Sequence, residues 1–234
     1  MAMQAILYDI HGNLTALDAV IVDAREHGAE RWFIGGDVAL FGPAPRETAM
    51  RLFELQPATW IRGNGERWTA QPGHAPEQVL GAVQAAREAL GEGLVASLAA
   101  LPESMPLDDR TRAWHASPVS DVRSFAPEPA DDEAELLTNV VELRLVFGHT
   151  HVPFHRKSAG HGGIELLNPG SVGMPFDGDH RASYALMHDD GTIEHRRVGY
   201  DHVRVPVALR ALYGDAPWVD IVEQRFETAT LQAP

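Results

Sequence analysis

Short apolar runs, each closed by a glycine and a polar side chain, recur along this chain and set the elements it predicts. Residues 5–8 predict a first strand. Leu14, Leu17, Val20, Ile21 and Ala24 follow at helical spacing, and Gly28 closes that helix. Residues 31–34 predict a second strand, 46–55 a short helix and 58–61 a third strand. Strand and helix alternating in this way predict an α/β architecture. Residues 76–101 read as helix, with Val79, Leu80, Val83, Ala86 and Leu90 on one face and a kink at Gly91 or Gly93. Residues 111–114 and 143–147 predict further strands, with a helix over about 132–140 between them. From Phe154 onward the pattern is that of a β-meander. Residues 154–157 pair with 164–167, and 183–187 pair with 193–198 around Asp190-Gly191. One or two outer helices follow Tyr200. No repeat or linker interrupts the pattern, so residues 1–234 are expected to form a single domain.

The polar residues after the strands change the picture. Asp9 and His11 follow the first strand, Asp37 the second, Asn64 the third, His115 the strand at 111–114, and His149 and His151 the strand at 143–147. In α/β sheets, sites form outside the carboxyl ends of strands. Residues two apart in extended backbone point to one side, so Asp9 with His11, and His149 with His151, are expected to converge. Turn formation and helix capping are the bland readings of Asp9 and Asn13; neither explains His11. Of the other histidines, His27, His161, His180, His188, His195 and His202 read as solvated. Trp60 and Trp114 are expected in the core, and Trp68 beside the cleft.

Composition narrows the chemistry. There is no cysteine, hence neither a disulfide framework nor a thiolate site, and any metal must use His, Asp, Glu or Asn. The net charge of −14 disfavours extended nucleic-acid binding, which needs a basic face. It also repels anionic substrates unless a local cation inverts the field. No secretory leader and no membrane-spanning apolar stretch is read from the sequence, so a cytoplasmic protein is expected. Val38-Ala39-Leu40-Phe41 is expected to be an exposed apolar patch, a candidate surface for a homo-oligomer.

Asp9-x-His11, Gly36-Asp37, Gly63-Asn64, His115 and Gly148-His149-Thr150-His151 stand in one order along the chain. Together they resemble the signature blocks of the calcineurin-like metallophosphoesterases. Asn168-Pro169-Gly170-Ser171 and the hairpin after it are similar to the end of the small bacterial and archaeal phosphodiesterase branch. The resemblance implies a four-layer αββα sandwich of two mixed β-sheets flanked by helices. It implies two divalent metal ions, drawn from Mn, Fe, Zn or Ni with Mn favoured. Asp9, His11, Asp37 and His151 would hold one ion; Asp37, Asn64, His115 and His149 would hold the other, with Asp37 bridging. It also implies that Asp37, Asn64 and His115 carry the chemistry and that Asn64 touches substrate. A water between the ions would attack a small phosphoester in line. The implied activity is that of a phosphodiesterase; a phosphomonoesterase or nucleotide phosphatase, or a non-catalytic scaffold that keeps the fold, are the alternatives.

Three departures stand out. Many members carry a leaving-group histidine after the Gly-Asn pair, where this chain has Gly65; His74 or a water is the expected substitute. Gly173-Met174-Pro175-Phe176 lacks an arginine that relatives often carry there, and Arg62, Arg67 and Arg181 are candidate replacements for phosphate contact. The loop at 36–42 lacks the arginine of phosphoprotein phosphatases, which argues against a phosphoprotein substrate. Glu66 is a candidate support behind the ligands.

Overall fold

Strand β1 (Gln4–Leu7) is buried along its whole length, and its alternation shows how the layers arise. Ala5 and Leu7 join an apolar cluster with Leu17, Val20 and Ile21 of helix α1 (Leu14–Glu26). Ile6 and Tyr8 join a different cluster with Ala113, Val146 and Leu167, which belong to another sheet. Period-two alternation thus gives one strand two partners, a helix layer and a second sheet. The computed structural model describes residues 3–160 and 162–231; Met1, Ala2, His161 and residues 232–234 lie outside the described residues.

The first sheet continues through β2 (Arg31–Ile34) and β3 (Ala58–Trp60), both parallel to β1. On its other side run β9 (Ala182–Met187) and β10 (Ile193–Val198), each antiparallel to its neighbour. The second sheet has β5 (Thr111–Trp114), β6 (Arg144–Val146) and β8 (Glu165–Asn168) in parallel. Antiparallel β4 (Ser104–Pro106) and β7 (Phe154–Lys157) form its edges. Helices α1, α2 (Pro45–Phe53) and α4 (Leu80–Ala99) cover the first sheet. Phe125 and Leu136, of α5 (Glu133–Leu136), cover the second with Leu145 and Leu166. Helices α6 (Arg204–Tyr213) and α7 (Pro217–Thr228) pack on α4 through Val83, Leu209, Trp218 and Val222. The expected αββα layering is therefore present, with both sheets mixed. Among the described residues, no helix is long and apolar enough to cross a membrane.

Several local expectations change. The predicted meander is split: β7 and β8 lie in the second sheet, and β9 and β10 in the first. Two hairpins look like one meander in sequence because pairing partners beyond the neighbour leave no local signal. The helix at 76–101 starts at Leu80, and Gly91 interrupts it with φ +75°, a conformation glycine adopts without penalty. The strand expected at 143–147 keeps only Arg144–Val146, with Leu143 exposed. The helix expected over 132–140 is one turn, Glu133–Leu136. Strand β4 is missed because Ser-Met-Pro has no strand pattern; an edge position tolerates its proline. Val38, Ala39 and Leu40 are not a surface patch but buried, the first two beneath α1 and α2 and the third against Met174 and Phe226. The loop is drawn inward because Gly12 N–H donates to the Val38 carbonyl and His11 N–H to that of Asp37.

Candidate metal centre

The carboxyl ends of β1, β2, β3, β5 and β6 meet in one place, and each delivers at least one of the seven polar residues. Asp9, His11, Asp37, Asn64, His115 and His151 are buried, and His149 is half-buried at the mouth. The convergence is not the extended i, i+2 geometry expected from sequence. Asp9, His11, Asp37, His149 and His151 all have positive φ, between 51° and 67°. The left-handed region is sparsely populated by residues with a Cβ, so tertiary contacts must hold these turns. Asp9 N–H donates to the Gly36 carbonyl, His11 N–H to that of Asp37 and Gly148 N–H to that of His115. His149 N–H donates to Asp9 Oδ2 at 2.9 Å. Gly148 has no room for a side chain: a Cβ there would stand 2.6 Å from Asp9 Oδ2 and 2.5 Å from the Tyr8 ring.

Backbone carbonyls decide which way the imidazole lone pairs face. Nδ1–H of His11 donates to Leu40 O at 2.9 Å, that of His151 to Met174 O at 2.6 Å and that of His115 to Gly35 O at 2.9 Å. Each Nε2 is left with its lone pair aimed inward. His11 Nε2 and His151 Nε2 face each other at 3.0 Å. Two lone pairs at that distance repel unless a cation or a proton stands between them, and burial holds both imidazoles against protonation. It pushes His11 down to about 4 and His151 well below its usual value. His149 is likewise pushed down by burial, to about 4. His115 is the exception: burial lowers it, but the carboxylates of Asp37 and Asp9 outweigh that and raise it.

The carboxylates complete the set. Asp9 Oδ1 is buried without a hydrogen-bond partner among the described residues, 3.8 Å from His115 Nε2 and 3.7 Å from His151 Nε2. Burial raises the Asp9 carboxyl to about 8. Asp37 offers a separate oxygen to each side. Its Oδ1 is 3.5 Å from His115 Nε2 and its Oδ2 is 3.9 Å from His11 Nε2. Burial pushes Asp37 up, but the His115 charge and the Gly65 N–H outweigh it and hold the carboxyl below its usual value. With its amide nitrogen inward, Asn64 reaches His115 Nε2 at 3.0 Å and His149 Nδ1 at 2.9 Å. Turned over, it offers a carbonyl oxygen to the same place, the orientation a cation selects. An orphaned carboxylate oxygen, opposed imidazole lone pairs and no thiolate are a donor set that fits divalent cations. Among the described residues, two groups have ligand atoms within 4.8 Å of one another: Asp9, His11 and His151, and Asp9, Asp37 and His115.

Glu66 stands behind the ligands, buried. Its carboxylate accepts N–H from Asp37 and Val38 at 2.8 Å and from Gly63 at 2.7 Å, tying the loops after β2 and β3 together. Gly65, at the first turn of α3 (Asn64–Ala70), donates N–H to Asp37 Oδ1 at 2.7 Å. Beside His115 opens a cavity of about 260 Å³ lined by Arg62, Arg67, Glu103, Trp114 and Asp121, among others. Arg67 is held there by both oxygens of Asp121, and Arg62 by Glu103. Arg181 does not line it; it is exposed and paired with Asp179. His74 is exposed in a turn and does not line it either. Trp114 packs on the Phe125 and Phe147 cluster, as expected of a core residue, and also forms part of the wall, whereas Trp68, expected at the cleft, packs against the Leu40 and Trp218 cluster. A larger cavity of about 680 Å³, near Asp108, Val141 and Asp190, is lined by none of the seven residues.

Residues 3–191 match the model of the calcineurin-like phosphoesterase superfamily domain. The phosphodiesterase YfcE of Escherichia coli is 30% identical over 193 residues, 78% of this chain and 85% of its own. An uncharacterized protein of Methanocaldococcus jannaschii is 29% identical over 220 residues, 86% of this chain and 88% of its own. The crystal structure of a metallophosphoesterase from Sphaerobacter thermophilus superimposes with a TM-score of 0.81 at 26% identity, covering 97% of this chain and all of the other.

Proposed function

Because this chain belongs to the calcineurin-like phosphoesterase superfamily, we propose that its single domain hydrolyses a small phosphodiester, using two divalent cations held by the seven strand-end residues. The observation that carries this reading is the inward aim of the imidazole lone pairs around two buried carboxylates. When bound, the cations supply Lewis acidity toward phosphoryl oxygens and a nucleophilic water at neutral pH. The residues of the chain do the rest. Leu40, Met174 and Gly35 carbonyls fix the tautomers of His11, His151 and His115, so each ring meets its ion without reorientation. Asp37, with an oxygen toward each side, would serve both ions. Glu66 holds the Asp37 loop against the Asn64 turn and so sets the spacing of the two sites. Of these residues His115 lines the cavity, and with Asp37 and Asn64 beside it it carries the chemistry. Gly65 offers no proton donor, so solvent water protonates the leaving oxygen.

Charge favours a diester over a monoester. Arg62 and Arg67 are each neutralised by a carboxylate, so the cavity beside His115 has no surplus of positive charge. A phosphomonoester carries close to two negative charges at neutral pH, a diester one. A scaffold that had abandoned catalysis would not need three histidines aimed at buried carboxylates. The test is turnover of bis(4-nitrophenyl) phosphate and 4-nitrophenyl phosphate by Mn²⁺-loaded protein. The diester is expected to turn over with the higher kcat/KM; preference for the monoester would favour the phosphatase reading, and turnover of neither the scaffold.

A further inference from the structure

Arg225 on α7 is half-buried, yet its guanidinium has neither an ion pair nor a hydrogen bond among the described residues. Most of the other arginines that reach inward are held by a carboxylate, as Arg67, Arg156 and Arg196 are. In a chain of net charge −14, an unpaired, partly desolvated cation is unexpected. Burying a charge without a partner is costly, and burial here lowers the Arg225 pKa.

Its surroundings lead to the metal centre. The guanidinium carbon lies 5.7 Å from the ring centroid of Phe41 and 5.7 Å from that of Phe176. Phe176 stacks on His151 with centroids 4.3 Å apart and an interplanar angle of 13°, and Phe41 lies 5.6 Å from His11. Arg225 therefore stands one ring beyond the His11–His151 pair, close enough for its charge to act on His11. Two aromatic faces steady the guanidinium by cation–π attraction and leave its N–H groups without protein acceptors. A fork of N–H donors one aromatic ring away from the His11–His151 pair is suited to the non-bridging oxygens of a phosphate group that reaches past those rings.

We propose that Arg225 is the substrate-phosphate contact on the His11–His151 side of the centre, supplied by a C-terminal helix outside the residues that match the family. Unlike the ion-paired Arg62 and Arg67, it would bring the site a side-chain cation that no carboxylate compensates among the described residues. The assignment rests on the phosphodiesterase reading for its substrate, but not for the anion contact itself. The bland alternative is a purely structural role, in which the guanidinium clamps α7 onto Phe41 and Phe176.

Arg225→Met separates the two, because methionine keeps an apolar stem between the rings and removes the charge. Binding of inorganic phosphate to Mn²⁺-loaded protein is measured by calorimetry, together with metal content, thermal midpoint and turnover of bis(4-nitrophenyl) phosphate. The expected result is phosphate binding weakened about 10- to 100-fold, the worth of hydrogen bonds to a charged group. KM should rise, metal content should be unchanged, and Arg225→Lys should recover part of the loss. A lower thermal midpoint with unchanged phosphate affinity would overturn the proposal while leaving the phosphodiesterase reading intact. Phosphate binding that depends on Arg225 in a protein without turnover would sink the phosphodiesterase reading and keep the contact. Failure of the wild type to bind phosphate would overturn the contact and leave the phosphodiesterase reading to the turnover assay.

Discussion

Asp37→Ala is expected to abolish phosphodiester hydrolysis, with kcat reduced at least ~10⁴-fold, and to deplete metal at both sites rather than one. The reason is geometric. Asp37 Oδ1 faces His115 and Oδ2 faces His11, so one side chain serves both halves of the centre, and members of such a unit are not additive. The substitution also frees the Gly65 N–H that Oδ1 accepts, which loosens the turn carrying Asn64. Elemental analysis of purified protein checks this alongside kinetics. Two ions per chain in the variant would remove Asp37 from its bridging role.

Restoring a histidine at position 65 is expected to lower activity, although many relatives carry one there. A Cβ on residue 65 would stand 2.9 Å from Asp37 Oδ1 and 3.2 Å from its carboxyl carbon, closer than a Cβ tolerates. Asp37 cannot yield freely, because its position fixes two ion sites and its backbone N–H is held by Glu66. Displacing a ligand by about 1 Å typically costs on the order of 10²-fold in rate. Gly65→His is therefore expected to lose roughly 10²-fold in kcat/KM, and Gly65→Ala nearly as much, since the Cβ and not the imidazole is responsible. A gain in kcat for Gly65→His on diesters with poor leaving groups would show instead that the site has room for a general acid and lacks only the residue.

Much of this was legible from sequence because the information was local. The strand–Gly–polar blocks ending in Asp9, Asp37, Asn64, His115 and His149 were recoverable from short windows, as was the β9–β10 hairpin from Asp190-Gly191. The sheet partners were not, since β7–β8 and β9–β10 look alike until the second sheet takes one of them. The local reason for convergence was also misread. Alternating side chains in a strand would have aligned His149 with His151, but both rings are turned by left-handed backbone that only the folded environment enforces. The loop at 38–41 looked like surface because four apolar residues between Asp37 and Gly42 carry no sign of which layer they enter. Arg225 was silent for a related reason: nothing near it in the chain says that it lies over Phe176, 49 residues earlier.

The central claim is that seven side chains from the ends of five strands hold a pair of cations. A crystal grown with Mn²⁺ and measured for anomalous scattering tests it most directly. Two peaks are expected, one among Asp9, His11, Asp37 and His151 and one among Asp37, Asn64, His115 and His149. A single peak, or none within reach of these residues, would contradict it.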